Sequence, residues 1–352
     1  MRLAHLIILQ FATLIVAACA VAKNTSIVTP PKLPHISADL NEEQFAKQPV
    51  PRQPAALRNQ LRDLGEGTID ARIEKLKIKV LRDLIFMEGG TFMMGDYGPL
   101  WSPDGVNYTS ETDTKPVHKV SLSSYSISRY KTTNAEYDVY LDATGQSPEV
   151  KPTAPYRSVF NPADMKWDRA KNYCLWIGKL AGLPFDLPTE AQWEYAARSR
   201  GNFFIFGTDN GSLDFGRNVD DYHQVKPMNQ AAGNINTAGG FWQPWNYPVG
   251  VFPPSPMGLY DVNADGFEWT NDWYAADYYK TSPGDDPKGP LTGTQKVARS
   301  TGLGEGPSGM NNVFRYSFDP DSKVNGPPGK PIISIANGVG VRCAVNLGHA
   351  VK

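Results

Sequence analysis

Apolar residues recur three and four positions apart in two parts of the chain, which is the spacing of one face of an α-helix. Between residues 55 and 82 that face is interrupted at 65–67 and is formed by Leu57, Leu61, Leu64, Ile69, Ile73 and Leu76. This pattern predicts two short helices packed against the main domain, with contact to a partner as the alternative. Residues 168–181 have the same spacing, and Gly182 is expected to end that helix.

A fourth helix is predicted over residues 189–199. Thr189 is followed three positions later by Gln192, which is the pattern of a capping box. Trp193, Ala196 and Ala197 are expected to face inward. The other segments read as short strands and long turns, and the chain holds 32 glycines and 29 prolines. Together these features predict a loop-rich α+β fold.

The first residues predict an export signal. After a basic start, residues 6–18 are apolar, a run too short for a membrane span of about 20 residues. The small residues before Cys19 resemble the lipobox of bacterial lipoproteins, with an ordinary signal peptide and a chance cysteine as the alternative. Residues 1–18 are therefore predicted to be a lipoprotein signal peptide, and Cys19 the lipidated residue. Ala20, in place of aspartate, implies a periplasmic protein anchored to the outer membrane.

The remaining chain divides by composition. Residues 19–54 hold few aliphatic residues and are predicted to be a tether. Residues 55–83 form the N-terminal helical segment, and residues 84–348 form the main domain. The net charge is −1 and no basic run follows the signal, so a nucleic-acid partner is not expected.

Three carboxylates lie close together in the stretch GLYDVNADGFEWTNDW, residues 258–273. Asp261, Asp265 and Glu268 fall near Gly266, whose backbone can turn its carbonyl inward. Hard cations such as calcium take six to eight oxygens from carboxylates and carbonyls. The stretch is therefore a candidate metal loop, and a solvated acidic turn beside a tryptophan core is the alternative.

Five segments in order resemble the formylglycine-generating, sulfatase-modifying-factor family. GLYDVNADGFEWTNDW is similar to its GLYD-x-x-GN-x-WEWT-x-DW segment, and KTTNAEY at 131–137 to its EVTN-x-x-Y. FMEGGTFMMG at 86–95, LPTEAQWEYAAR at 187–198 and GVRCA at 340–344 resemble its other motifs. The resemblance covers roughly residues 84–346. It implies the family's fold, a variant of the C-type lectin-like fold.

The resemblance also implies calcium sites. The first would use the side chains of Asp261 and Glu268 with the carbonyls of Ala264 and Gly266. A second site maps onto Asn218 and the carbonyl of Val219. The next ligand position falls near Gly239, which has no carboxylate, although Asp220 and Asp221 are close in sequence.

The cysteines bear on both disulfides and catalysis. Besides Cys19 the chain has two, Cys174 and Cys343, and an even pair in an oxidising compartment predicts a disulfide. The resemblance implies the same pair. The family's second disulfide maps onto Ala197 and Phe318, which reads as an apolar replacement.

The copper-binding cysteines of the family's oxygenases map onto Ser308 and Val313, and residues 299–302 (RSTG) replace the motif RGGS. Copper(I) needs thiolates, so no copper and no catalytic residue are expected. Arg315, Tyr316 and Trp269 are expected to line a surface cleft. His118, in a predicted strand, is expected to be structural.

Two kinds of function follow. The first is a non-catalytic lipoprotein that binds and neutralises a protein partner, with a type VI secretion effector as the favoured partner, because immunity proteins that bind such effectors are known with this fold. Its candidate contact loops are residues 97–114 and 300–312. The alternatives are a periplasmic enzyme with altered chemistry, such as siderophore maturation, with Arg315 and Glu305 in its cleft, and a structural lipoprotein of a secretion machine.

Overall fold

A computed structural model of the chain describes residues 52–149, 157–219, 247–300, 310–321 and 339–351, all within the unit Pro34–Lys352. The signal peptide with Cys19, most of the tether, and residues Asp220, Asp221, Gly239, Glu305 and Ser308 lie outside the described residues. No helix among the described residues is long and apolar enough to cross a membrane.

The first two helices lie where the apolar spacing predicts them. Helix α1 spans Ala55–Asp63 and helix α2 spans Ile69–Arg82. Thr68 caps α2 by accepting a hydrogen bond from the amide of Ala71, which satisfies one of the free donors at the helix start. A short helix, α3, follows at Gly98–Trp101.

Three further helices have the end signals expected of them. Helix α4 spans Asn134–Thr144 and α6 spans Glu190–Ala197, and each begins with a complete capping box. Helix α5 spans Trp167–Ala181 and ends at Gly182, whose φ of 66° lies in the left-handed region that favours glycine. The predicted bounds of α5 and α6 are therefore confirmed to within one or two residues.

The strands form three small sheets. Their bounds are β1 Leu84–Met87, β2 Gly90–Met94, β3 His118–Leu122, β4 Tyr125–Ser128, β5 Phe185–Asp186, β6 Phe267–Trp273, β7 Lys296–Arg299, β8 Tyr316–Phe318, β9 Val339–Gly340 and β10 Ala344–Val345. The first sheet has the order β1-β4-β10-β5, the second pairs β2 with β3, and the third has the order β8-β7-β6-β9. The predicted α+β class is confirmed.

Strand β6 carries the end of the acidic stretch into the third sheet. It pairs antiparallel with β7, placing Glu268 beside Arg299, and parallel with β9, placing Glu268 beside Gly340. Glu268 is consequently an interior position with a strand on each side.

One hydrophobic cluster joins helices α1, α2, α4 and α5 to the third sheet, and a second surrounds α6 and strands β2 and β3. The disulfide between Cys174 of α5 and Cys343 lies in the first cluster, with the two Cα atoms 5.6 Å apart. It closes a loop of 169 residues, which in the chain-entropy model contributes roughly 5 kcal/mol. Phe318 packs in the first cluster and Ala197 in the second, so each is part of an apolar core.

Candidate functional site

The loop that leads into β6 has an unusual backbone. Asp261 and Asp265 have positive φ angles of 56° and 60°, and Gly266 has a φ of 86°. Such angles are uncommon for residues with a side chain. Backbone amides hold both carboxylates, because Gly250 N donates to Asp261 Oδ2 at 2.7 Å and Tyr247 N donates to Asp265 Oδ1 at 3.0 Å. The loop is thereby fixed with successive carbonyls pointing inward.

These carbonyls surround the ammonium group of Lys131. Its Nζ donates to the carbonyl oxygens of Ala264, Asp265 and Gly266 at 2.6, 3.0 and 2.6 Å. Lys131 lies between β4 and α4 and is 0% exposed. Burial lowers the pKa of Lys131 from its ordinary value, and the nearby Glu268 carboxylate opposes that shift. Two of the predicted calcium ligands, the carbonyls of Ala264 and Gly266, therefore hold a lysine.

Glu268 is bound on both carboxylate oxygens. Arg342 donates through Nε to Oε2 at 2.6 Å and through Nη2 to Oε1 at 2.9 Å, and Trp193 Nε1 donates to Oε2 at 2.9 Å. Lys131 Nζ lies 3.8 Å from Oε1. Burial alone would raise the pKa of Glu268, but Arg342 and Lys131 together bring it below its ordinary value. Glu268 is thus an ionised partner of two buried cations.

The residues present do not fit a calcium ion in this arrangement. The point on which the carbonyls converge is occupied by Lys131 Nζ, and both oxygens of Glu268 accept hydrogen bonds. Among the described residues no group of three or more His, Cys, Asp or Glu side chains could hold a metal ion.

The residues of the predicted second site are likewise engaged in hydrogen bonds. Asn218 Oδ1 accepts from Asp214 N at 2.8 Å, and its Nδ2 donates to Asp209 Oδ1 at 2.9 Å. The carbonyl of Val219 accepts from Gly216 N at 2.8 Å. The polar groups of this turn are satisfied by neighbouring residues of the same segment.

A second buried network lies next to Val313, one of the two positions onto which the resemblance maps the copper cysteines, since Arg299 donates to the carbonyl of Asn312. The other position, Ser308, lies outside the described residues. Arg315 makes a double contact with Glu190, from Nε to Oε1 at 2.7 Å and from Nη2 to Oε2 at 2.9 Å. Arg299 joins Glu190 to Glu194 at 2.8 and 2.9 Å, and Glu194 also accepts from Arg198 at 2.9 Å. Burial opposes ionisation of Glu190, but Arg315 and Arg299 bring the net pKa below its ordinary value.

The predicted surface cleft is wrong. Arg315, Tyr316 and Trp269 are all buried, because Arg315 pairs with Glu190 and the two aromatic rings pack in the first hydrophobic cluster. Val313 is also fully buried. His118 begins β3 and packs 4.7 Å from the ring of Tyr279, consistent with a structural role.

Sequence reasoning missed Lys131 and the carboxylates of α6. A signal for Lys131 was present, since KTTN has lysine where the family segment EVTN has glutamate. A signal for the second network was the spacing of Glu190, Glu194 and Arg198, which places all three on one helix face.

Fold and site together define a loop-rich α+β domain. Its interior contains buried arginine–glutamate pairs and Lys131, whose ammonium group is surrounded by backbone carbonyls. Residues 71–347 match the family described as the sulfatase-modifying factor enzyme 1-like domain, and the chain belongs to this family.

Relatives include a formylglycine-generating enzyme of Thermomonospora curvata, 27% identical over 269 residues, which cover 63% of this chain and 82% of the relative. The serine/threonine-protein kinase pkn1 of Chlamydia caviae is 26% identical over 292 residues, covering 75% of this chain but only 41% of the kinase. Among solved structures, PvdO from Pseudomonas aeruginosa superposes with a TM-score of 0.54 at 25% identity, covering 75% of this chain and 94% of PvdO.

Proposed function

We propose that this chain is a non-catalytic member of its family that binds and neutralises a protein partner. The favoured partner class is a type VI secretion effector, met in the periplasm by a lipoprotein anchored to the outer membrane through Cys19. The chain would then be an immunity protein, with the family fold serving as a rigid frame for recognition loops.

The observation that carries the proposal is the state of the region where the family's oxygenases hold copper. Val313, at one of the two cysteine positions, is a fully buried apolar side chain. Arg315, two residues on, donates from Nε and Nη2 to Glu190 and from Nη1 to the carbonyl of Asp113. A valine offers no metal ligand, and a satisfied ion pair offers no free acid or base. This region supports stability better than catalysis.

The surface that best suits a partner is the outer part of the loop 97–114. Asp96 anchors the loop from inside, accepting from the amides of Gly98 and Tyr108 at 3.0 Å each. Leu100 and Val106 project from the anchored loop with 52% and 57% of their surface exposed. Apolar side chains on a preorganised loop lose little entropy when they are covered, which favours binding. Most of the other candidate loop, 300–312, lies outside the described residues.

The proposal is tested by exporting the product of the neighbouring gene to the periplasm of a bacterial host, with and without this protein. We expect growth to stop without it and to be restored with it. The purified pair should bind, and the Leu100→Asp, Val106→Asp double variant should weaken the affinity at least about tenfold, or 1.4 kcal/mol.

The matched control is Leu291→Asp, since Leu291 is 97% exposed on a different loop. This variant should bind and protect like the wild type. The proposal is contradicted if the wild-type protein neither binds the neighbouring product nor restores growth. If binding survives the double variant, the contact surface lies outside the loop 97–114.

A further inference from the structure

We infer that Lys131 holds the loop 261–268 in place of a divalent cation, so that this position of the fold carries an internal charge and takes no calcium. An ammonium group has three N–H donors, and the three carbonyls of Ala264, Asp265 and Gly266 all lie within hydrogen-bond distance of Lys131 Nζ. The three carbonyls lie at 2.6–3.0 Å and a fourth acceptor, Ser300 Oγ, lies farther away at 3.5 Å, so the carbonyls are the main partners of the three donors. The ammonium group is fully buried.

The surrounding charges support the same reading. Glu268 already faces two cations, Lys131 at 3.8 Å and Arg342 at 2.6 Å. A calcium ion placed among these carbonyls would meet both positive groups in the protein interior, where charges are weakly screened. Among the described residues, Oδ1 of Asp261 accepts no hydrogen bond, but one carboxylate oxygen is far from the six to eight oxygens that calcium takes.

The sequence of residues 131–134 also agrees with a lysine that takes the place of a divalent cation. The segment KTTN has Lys131 where the similar family segment EVTN has glutamate. Exchanging glutamate for lysine changes the side-chain charge from negative to positive, which adds as much positive charge as one divalent cation supplies. The backbone carbonyls of the loop still point inward, and the positive charge that they surround is supplied by Lys131.

The test compares melting temperatures in millimolar calcium and in chelator. For the wild type we expect the two curves to superimpose. Lys131→Met keeps the length of the side chain but removes the charge and the donors. It should melt several degrees lower under both conditions, because three buried carbonyls lose their partner. Lys131→Glu restores the family residue and should gain a calcium-dependent rise in melting temperature.

Three results would overturn the inference. The first is a calcium-dependent rise in the wild type that disappears in Asp261→Ala, which would place the ion in this loop. The second is a Lys131→Met variant as stable as the wild type. The third is a folded Lys131→Glu variant that does not respond to calcium. A rise in the wild type that persists in Asp261→Ala comes from elsewhere and leaves the inference standing. If Lys131→Glu does not fold, the other two variants still decide.

Discussion

At the scale of single residues, the stability of the fold depends on charged side chains that are buried away from water. Glu190, Glu194 and Glu268 are each paired with buried arginines. A buried ion pair need not stabilise the fold more than an apolar pair of the same shape. Removing one partner, however, leaves the other buried charge with fewer opposite charges around it, which is destabilising. The arginine–glutamate pairs are therefore points at which a single substitution has a large effect.

Arg315→Ala should lower the free energy of unfolding by about 3 kcal/mol, because Glu190 loses its double contact with Arg315 in the core and keeps only Arg299. The control is Arg217→Ala, which breaks a partly exposed contact with Asp209 and should cost less than about 1 kcal/mol. Chemical denaturation of both variants measures the difference. Equal, small losses would mean that the Arg315 pair contributes no more than a surface contact.

Asp272 makes stability depend on pH. Burial, reinforced by the nearby Glu190, raises the pKa of Asp272 to about 8, against the opposing influence of Arg315 and Lys296. The folded state therefore keeps a proton on Asp272 that the unfolded state releases above a pH of about 4. Folding stability from this group falls as pH rises from about 4 to 8, by up to about 1.4 kcal/mol per pH unit.

Asp272→Asn removes this titration and keeps an oxygen that can accept the hydrogen bond from the amide of Glu190. Relative to the wild type, the variant should become more stable as the pH is raised from 5 to about 9. Denaturation curves at several pH values follow the difference. A difference that stays constant across this range would show that Asp272 does not titrate there.

At the scale of elements, helices α1 and α2 are part of the core of the domain. Leu61 and Leu76 are buried in the first hydrophobic cluster, and Lys79 of α2 donates to Glu136 of α4 at 2.8 Å. The same Glu136 closes the capping box of α4 through Thr133. One carboxylate thus connects the start of α4 to α2.

Leu61→Ala should therefore destabilise the whole domain, by about 2–5 kcal/mol, through lost burial and the cavity that remains. Ile78→Ala is the matched control, because Ile78 lies on the same pair of helices with 63% of its surface exposed, and its effect should stay within about 0.5 kcal/mol. Thermal or chemical unfolding compares the two. If Leu61→Ala melts like the control, the two helices are attached to the domain without stabilising it.

Helices could be predicted because their signals are local. The apolar spacing of α1, α2 and α5, and the capping box of α6, each lie within a few residues of the element that they define. Lys131 meets Gly266 across 135 positions, and Arg315 meets Glu190 across 125. Such contacts depend on how the sheets are assembled. For that reason sequence analysis did not predict that Lys131 contacts the carbonyls of the acidic loop, or that Arg315 is buried in an ion pair.

At the scale of the whole molecule, long-range contacts join helices and strands that are far apart in the sequence. The Cys174–Cys343 disulfide links α5 to the segment before β10, and Arg342, its neighbour in sequence, pairs with Glu268 at the start of β6. Arg299 at the end of β7 contacts Glu190 and Glu194 of α6. Val313, onto which the resemblance maps one of the family's copper cysteines, is likewise part of the buried interior, which is the basis for proposing a binding protein without catalysis.

The most direct test of that claim is the conversion of a Cys-x-Pro-x-Arg peptide by the purified, copper-loaded protein. The formylglycine-generating enzyme of Thermomonospora curvata serves as the positive control in the same buffer. Because copper(I) needs thiolates and Val313 offers none, we expect no aldehyde above the level without protein, while the control converts the peptide. Copper-dependent formation of formylglycine by this protein, measured by mass spectrometry, would contradict the account.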